Sequence, residues 1–266
     1  DVRIFVNGDR SVSSLLAGTR HALVDWRVPK MLLDALRGAD IAVVDSYLAG
    51  PPVYEAVSRR IPVPAYLDDN RRIRYPRGVV INGNAHAPGL RYPKGEGVEY
   101  LVGLRYALLR REFRKVAPAK RRPRVDSVLI TFGGQDKRNL IPRLLASLNE
   151  RFPNLSKRVV IANSFDNVLA IRAAAGKDTE LVYSPDASGM KRLMQSCDAA
   201  ICAGGQTTNE LARMGVPALM AVVAENQAGI ARSWDRLGIA QRCGNWKDRG
   251  LIHRLTQGLS ALSSDA

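Results

Sequence analysis

The chain's 266 residues, 46% hydrophobic and 24% charged, exclude disordered and fibrous classes and leave room for one large domain or two smaller ones. Its longest apolar stretches, such as 218–224, are far shorter than the roughly 20 residues a membrane helix needs, so no membrane span is expected. Forty Lys and Arg against 25 Asp and Glu give a net charge of +15, which signals either an anionic partner or a solvated basic surface.

The sequence opens at Asp1, without Met, directly on the strand-like run 2–6, and from that abruptness an upstream segment is expected to be missing. Apolar runs follow at 41–46, 63–69, 78–83, 125–134, 158–163, 179–185, 199–205 and 218–224. Most are continuous rather than alternating, as strands buried on both faces are. Helical periodicity predicts helices at 51–60, 138–150, 166–175, 188–196, 207–214, 226–237 and 248–263, so that strands and helices alternate as βαβ units of parallel sheets. The Pro- and Arg-rich stretch 117–124 is the one clear break in composition. It divides an N-terminal lobe, 1–116, from a C-terminal lobe, 125–266. The expected fold class is α/β, two Rossmann-like lobes with a cleft between them.

Nine of the 40 basic residues fall within 105–124 and four more within 71–77. A solvated linker and loop account for them, and aromatic residues, 6% of the chain, are too sparse there for base stacking. Without a zinc-finger or RRM signature, nucleic acid is not the expected partner. The three cysteines, Cys197, Cys202 and Cys243, form no Cys-x-x-Cys pair and lie beside no His. Reduced thiols, a cytoplasmic location, a monomer and neither metal nor cofactor are expected.

In such sheets ligands lie beyond the carboxyl ends of the strands. After the run 125–134, Gly133 and Gly134 place bare backbone at a helix start; they suit either the border of a diphosphate or a tight turn with Asp136 as its cap. Ala203-Gly204-Gly205-Gln206-Thr207-Thr208-Asn209-Glu210 repeats the arrangement, and two such loops converging would hold one anion from two sides. Glu210 suits the hydroxyls of a ribose or, through Thr207-x-x-Glu210, a capping box. Glu225, Asn226 and Gln227 offer hydrogen bonds to sugar hydroxyls, with helix capping by Asn226 as the alternative. Met190 and Leu193 are either the floor of a base slot or plain core.

The ordered set DSY (45–47), LDDN (67–70), NGNA (82–85), GLRYALLRREF (103–113), VLITFGGQDKRN (128–139), AICAGGQTTNEL (200–211) and ENQ (225–227) resembles the UDP-2,4-diacetamido-2,4,6-trideoxy-β-L-altropyranose hydrolases of the pseudaminic acid pathway. That family is similar in turn to the GT-B glycosyltransferase that makes lipid II. The resemblance spans residues 1–230, although GGQTTNE alone would indicate only the wider superfamily. It implies cleavage of the sugar C1–O bond with release of UDP and inversion. It also implies that Met190, Gly204, Gly205, Gln206, Thr207, Thr208 and Glu210 serve UDP, and that Asp45, Tyr47, Asp69, Asn82 and Asn84 face the sugar. From their places after strands, Gly133 and Gly134 are expected to join the UDP set, and Glu225, Asn226 and Gln227 the sugar set.

UDP is a good leaving group, so backbone dipoles and cations can replace a general acid and the remaining task is to activate water. In the family the expected catalyst is a His in a G-x-G-H loop after the first strand. Here the opening resembles the family's second strand and the helix after it, so the first strand, its loop and its helix are expected to be absent. Asp69 and His86 are the substitutes that remain. A GT-B glycosyltransferase or a non-catalytic UDP-binding remnant would use the same C-terminal loops.

Overall fold

The computed structural model describes every residue except 11, 14, 15, 118–123, 265 and 266. It divides into two compact units, Asp1–Tyr106 and Ala107–Ala266. Residues 107–116, expected in the N-terminal lobe, thus pack with the second unit, because Phe113 is fully buried and 108–114 is hydrogen-bonded to a helix of that unit. Most of the expected linker lies outside the described residues, as do parts of the segment expected to be the helix after the opening strand.

In the first unit, β1 (Ile4–Val6) pairs in parallel with β2 (His21–Leu23), and β3 (Ile41–Val44), β4 (Val63–Leu67), β5 (Gly78–Asn82) and β6 (Val98–Val102) form a parallel sheet in that order. His21 is the first residue of β2. Helix α1 (Pro29–Ala35) follows β2, and α2 (Pro51–Arg60) links β3 to β4. Both start with Pro, whose missing N–H costs nothing in a first turn. The end of α2 is held by Arg77, which donates to the carbonyls of Ile61 at 2.8 Å and Pro62 at 3.1 Å and so satisfies acceptors the helix leaves open. Tyr54 and Tyr66 meet edge to face at 5.3 Å, Tyr54 and Tyr75 at 5.4 Å, and Tyr66 stacks on Tyr75 at 5.5 Å. With Val57, Ile61 and Val80 they make the core of this unit. Strand β3, at the edge of the sheet, differs: Ile41 and Val43, on one of its faces, remain exposed.

The second unit alternates strictly: β7 (Ser127–Thr131), α3 (Leu140–Arg151), β8 (Ser156–Ile161), α4 (Val168–Ala174), β9 (Thr179–Tyr183), α5 (Ala187–Ser196), β10 (Ala199–Ala203), α6 (Thr207–Met214), β11 (Ala218–Val222), α7 (Gln227–Arg236), β12 (Ala240–Asn245) and α8 (Leu251–Ser264). All pairings are parallel, in the order β12-β11-β10-β7-β8-β9. The chain begins centrally at β7, winds outward through β8 and β9, then crosses back to β10 and winds the other way. Every residue of β7, β10 and β11 is buried, the physical counterpart of the wholly apolar sequences of β10 and β11 and of the apolar centre of β7 between Ser127 and Thr131. Leu144, Leu148, Ile130, Ile201, Leu219 and Leu255 are among the side chains that close the core around them.

No helix among the described residues is long and apolar enough to cross a membrane. Because Tyr54 is fully buried at the centre of the aromatic cluster, Tyr54→Ala should cost about 3–5 kcal/mol. Urea denaturation monitored by tyrosine fluorescence would read that loss.

Candidate functional site

The loops that leave β7 and β10 open onto one cavity of about 450 Å³ in the second unit. Gly133, Gly134 and Arg138 line it from the first loop, Gly205 and Thr207 from the second, and Gln227 from the start of α7. Strands β7 and β10 are neighbours whose crossovers run in opposite directions, so the cavity occupies the topological switch of a doubly wound sheet.

The glycines have separate duties. Gly133 has a φ of +79°, a conformation that favours glycine, and a Cβ on either Gly133 or Gly205 would meet no atom within 4 Å. Gly204 is instead pressed against α7, where a Cβ would lie 3.4 Å from the Gln227 carbonyl oxygen and 3.5 Å from the Ala231 Cβ. Its substitution by Val would disturb packing before it disturbed a ligand.

Asp136 accepts the backbone N–H groups of Leu140 and Ile141, each at 2.9 Å, and the Asn167 amide at 3.0 Å. It therefore caps α3. Burial raises its carboxyl above the usual carboxylate range, against the pull of those donors. The second loop behaves otherwise. Thr208 donates its hydroxyl to the Gly205 carbonyl at 2.6 Å, and no side chain caps α6, so the Thr207–Glu210 capping box does not form. Glu210, 4% exposed, accepts two hydrogen bonds from Arg110, Nε at 2.6 Å and Nη2 at 2.8 Å. These bonds raise the guanidinium pKa further. Gln206 donates to the Leu108 carbonyl and Arg213 to that of Arg114 at 3.1 Å, so the segment 108–114 is strapped along α6.

The structure brings Gly133, Gly134, Gly205, Gln206, Thr207 and Gln227 to the cavity. Gly204, Thr208 and Glu210 lie just behind it on the same loop and helix, while Met190 is a buried residue of α5 and does not line it. Glu225 and Asn226 are exposed, Asn226 makes no side-chain cap on α7, and Gln227 accepts the Val223 N–H at 3.0 Å. Sequence reasoning passed over Lys137, Arg138 and Arg110. The basic pair directly after GGQD was the available signal for the first two; nothing in the sequence announced that Arg110 meets Glu210.

In the first unit the residues expected on the sugar side form a polar network at the carboxyl ends of β4 and β5. Asp69 accepts the Tyr47 hydroxyl and the Asn84 amide, the latter at 2.8 Å. Asn82, 1% exposed, accepts from the backbone and side-chain nitrogens of Asn84 at 3.1 and 2.9 Å, and donates to the Tyr92 hydroxyl at 2.9 Å. Tyr92 in turn donates to Asp68, which also accepts the Arg71 N–H at 2.7 Å and so closes the loop after β4. Desolvation and the charge of Asp69 raise the Asp45 carboxyl, and Arg72 opposes them. His86 Nε2 lies 3.3 Å from the Asn70 side-chain oxygen.

Taken together, these features define an α/β protein of two Rossmann-like units, the architecture of GT-B glycosyltransferases. The fold is similar to MurG of Acinetobacter baumannii, with a TM-score of 0.62 and 17% identity over 98% of this chain and 83% of that one. It is also similar to the glycosyltransferase SnogD of Streptomyces nogalater, with a TM-score of 0.58 and 18% identity over 99% and 87%.

In sequence the chain is 27% identical over 141 residues to the spore coat polysaccharide biosynthesis protein SpsG of Bacillus subtilis, covering 51% of this chain and 41% of that protein. It is 28% identical over 210 residues to a UDP-N-acetylglucosamine–N-acetylmuramyl-(pentapeptide) pyrophosphoryl-undecaprenol N-acetylglucosamine transferase of Solibacter usitatus, covering 73% and 56%. It is 24% identical over 211 residues to the pseudaminic acid cytidylyltransferase and UDP-2,4-diacetamido-2,4,6-trideoxy-β-L-altropyranose hydrolase of Helicobacter pylori, covering 78% and 38%. The resemblance carried by the ordered motifs is thus met again in a relative bearing that hydrolase's name. The chain spans about half the length of these relatives or less. No family model matches the sequence.

Arg110→Leu would leave the buried Glu210 carboxylate without its partner and should cost about 1–3 kcal/mol. Adding Glu210→Leu should recover most of that loss. Chemical denaturation of the two variants would test the pair.

Proposed function

We propose that this chain binds a UDP-linked diacetamido-trideoxyhexose, with the diphosphate in the cavity at the β7–β10 switch, and that water cleaves the C1–O bond with release of UDP and inversion. The observation that most supports this reading is the meeting of two glycine loops, each opening a helix, on one hollow with Lys137 and Arg138 along its border. Bare amides, the positive end of α6 and the two cations suit a diphosphate better than a neutral ligand. Because UDP leaves as a stabilised anion, no general acid is needed.

On this reading Gly133, Gly134, Gly204, Gly205, Gln206, Thr207 and Thr208 form the diphosphate cradle, and Met190 lies toward the base. Glu210 takes the ribose hydroxyls: a carboxylate has about four acceptor sites and Arg110 fills only two. The sugar is served by Asp45, Tyr47, Asp69, Asn82 and Asn84, together with Glu225, Asn226 and Gln227. Asp69 is the first candidate to hold the attacking water, because Tyr47 and Asn84 fix its oxygens. His86 is the second. The partner is then a small UDP-sugar in the cytoplasm, and the pathway is nonulosonic acid biosynthesis.

Similarity over 210 residues to a UDP-N-acetylglucosamine transferase favours a second reading, transfer to an acceptor hydroxyl. Release of UDP from the UDP-sugar with no acceptor present supports hydrolysis; release only after acceptor is added supports transfer.

Gly205→Val tests the placement of the nucleotide without disturbing the fold, since its side chain would enter open space. Its melting temperature should match the unsubstituted chain while calorimetric binding of UDP is lost. Retained affinity would refute the cavity as the diphosphate site.

A further inference from the structure

One residue at the cavity is held in a way that its role as lining does not explain. Arg138 lies over the indole of Trp246, its guanidinium carbon 3.7 Å from the ring centroid. Among the described ion pairs it has no carboxylate partner, and the carboxylate of Asp136, two residues earlier on the same cavity wall, accepts the N–H groups of Leu140 and Ile141 instead. An arginine stacked on an aromatic face keeps its N–H edge available for a second partner, and its planar fork matches the oxygens of a phosphate. The basic residue is therefore held in place while its hydrogen-bonding rim stays unspent.

The stack is itself built on a fixed support. Trp246 follows β12 and donates its backbone N–H to Val222 at the end of β11, at 2.9 Å. The turn that carries it is closed by Asp248, which accepts the Asn245 N–H at 2.9 Å and Arg254 Nη2 at 2.8 Å. Arg254 also donates through Nε to the Cys243 carbonyl. Gly244, with a φ of +137°, makes room for this closure; a Cβ there would stand 2.6 Å from the Asp248 carboxylate. Lys247 adds a second cation 5.6 Å from the same ring. Loops from β7 and β12 are thereby joined above the strands between them, with a positive charge presented at the cavity.

We propose that Arg138 is the cation that receives the terminal phosphate of the bound nucleoside diphosphate, and that Trp246 is its positioning residue. This rests on the reading of the cavity as a diphosphate site and adds the group that favours departure of the nucleotide. When the sugar C1–O bond breaks, its electron pair passes to the terminal phosphate oxygen. Arg138 is placed to stabilise that charge while water bonds to C1 and gives its proton to Asp69, the first candidate base of the proposed function. The charge is greater on the departing diphosphate than on the sugar-bound one, so the contact strengthens as the bond breaks.

The test is calorimetry with UDP, UMP and uridine on the unsubstituted chain and on Arg138→Gln, Trp246→Leu and Trp246→Phe, all with matched melting temperatures. Arg138→Gln should lower UDP affinity about 10- to 100-fold, the size of a lost charged hydrogen bond, and leave uridine unchanged. The dependence of UDP binding on salt should weaken in the same variant. Trp246→Leu should reproduce part of the loss for UDP alone, and Trp246→Phe, which keeps an aromatic face, should restore it. If the unsubstituted chain binds UDP and Arg138→Gln binds it equally well, or loses uridine to the same extent, the proposal is overturned while the nucleotide reading stands. If the unsubstituted chain binds none of the three, the nucleotide reading falls and this proposal with it.

Discussion

Two crossovers leave the carboxyl ends of adjacent strands, β7 and β10, in opposite directions, and no short loop can fill the space they vacate. The second unit is organised around that constraint. The loops that lead into helices α3 and α6 wall the hollow, with the first N–H groups of α3 taken up by Asp136. One glycine keeps the backbone close to α7 and others leave the interior clear. The chemistry that can occur there is set first by connectivity, because parallel strands with divergent crossovers present amides and helix termini whatever the side chains are.

Side chains then assign the charges. Each buried carboxylate is committed in its own manner: Asp136 to the first turn of α3, Glu210 to Arg110, and Asp68 to Tyr92 and the loop after β4. At the cavity the Asp136 carboxylate is engaged by the first turn of α3, while Lys137 and Arg138 stay at the border. The local balance is thus more positive than neighbouring acidic residues in the sequence would suggest. The strap 108–114 serves the same end from outside: Arg110 neutralises a carboxylate at the base of α6, and Gln206 anchors the glycine loop to Leu108.

Much of this was legible in the sequence because the second unit obeys a simple rule. Strands β10 and β11 are apolar at every position and β7 is apolar between Ser127 and Thr131, burial on both faces favours such runs, and the glycines follow the ends of β7 and β10. The strands that escaped notice obey other rules. β12 lies at a sheet edge and carries Gln241 and Arg242, β6 includes Glu99, and β2 has three residues, so none presents an unbroken apolar run. The site divides similarly. Glycines at strand ends and polar residues in loops identify themselves by local spacing. The Arg110–Glu210 pair spans 100 positions, and the stack of Arg138 on Trp246 joins the loops after β7 and β12. Contacts of that kind depend on tertiary placement and leave no periodic trace.

The edge strand β3 has a colloidal consequence. Ile41 is 63% and Val43 60% exposed, and among the described residues no strand covers the outer edge beside them. A bare apolar edge invites annealing with another molecule. What opposes it is the chain's charge of +15, which makes copies repel one another at long range. Added salt shortens that repulsion without weakening the apolar attraction. Solutions of this protein should therefore scatter more light as ionic strength rises, the reverse of the salting-in common among weakly charged proteins.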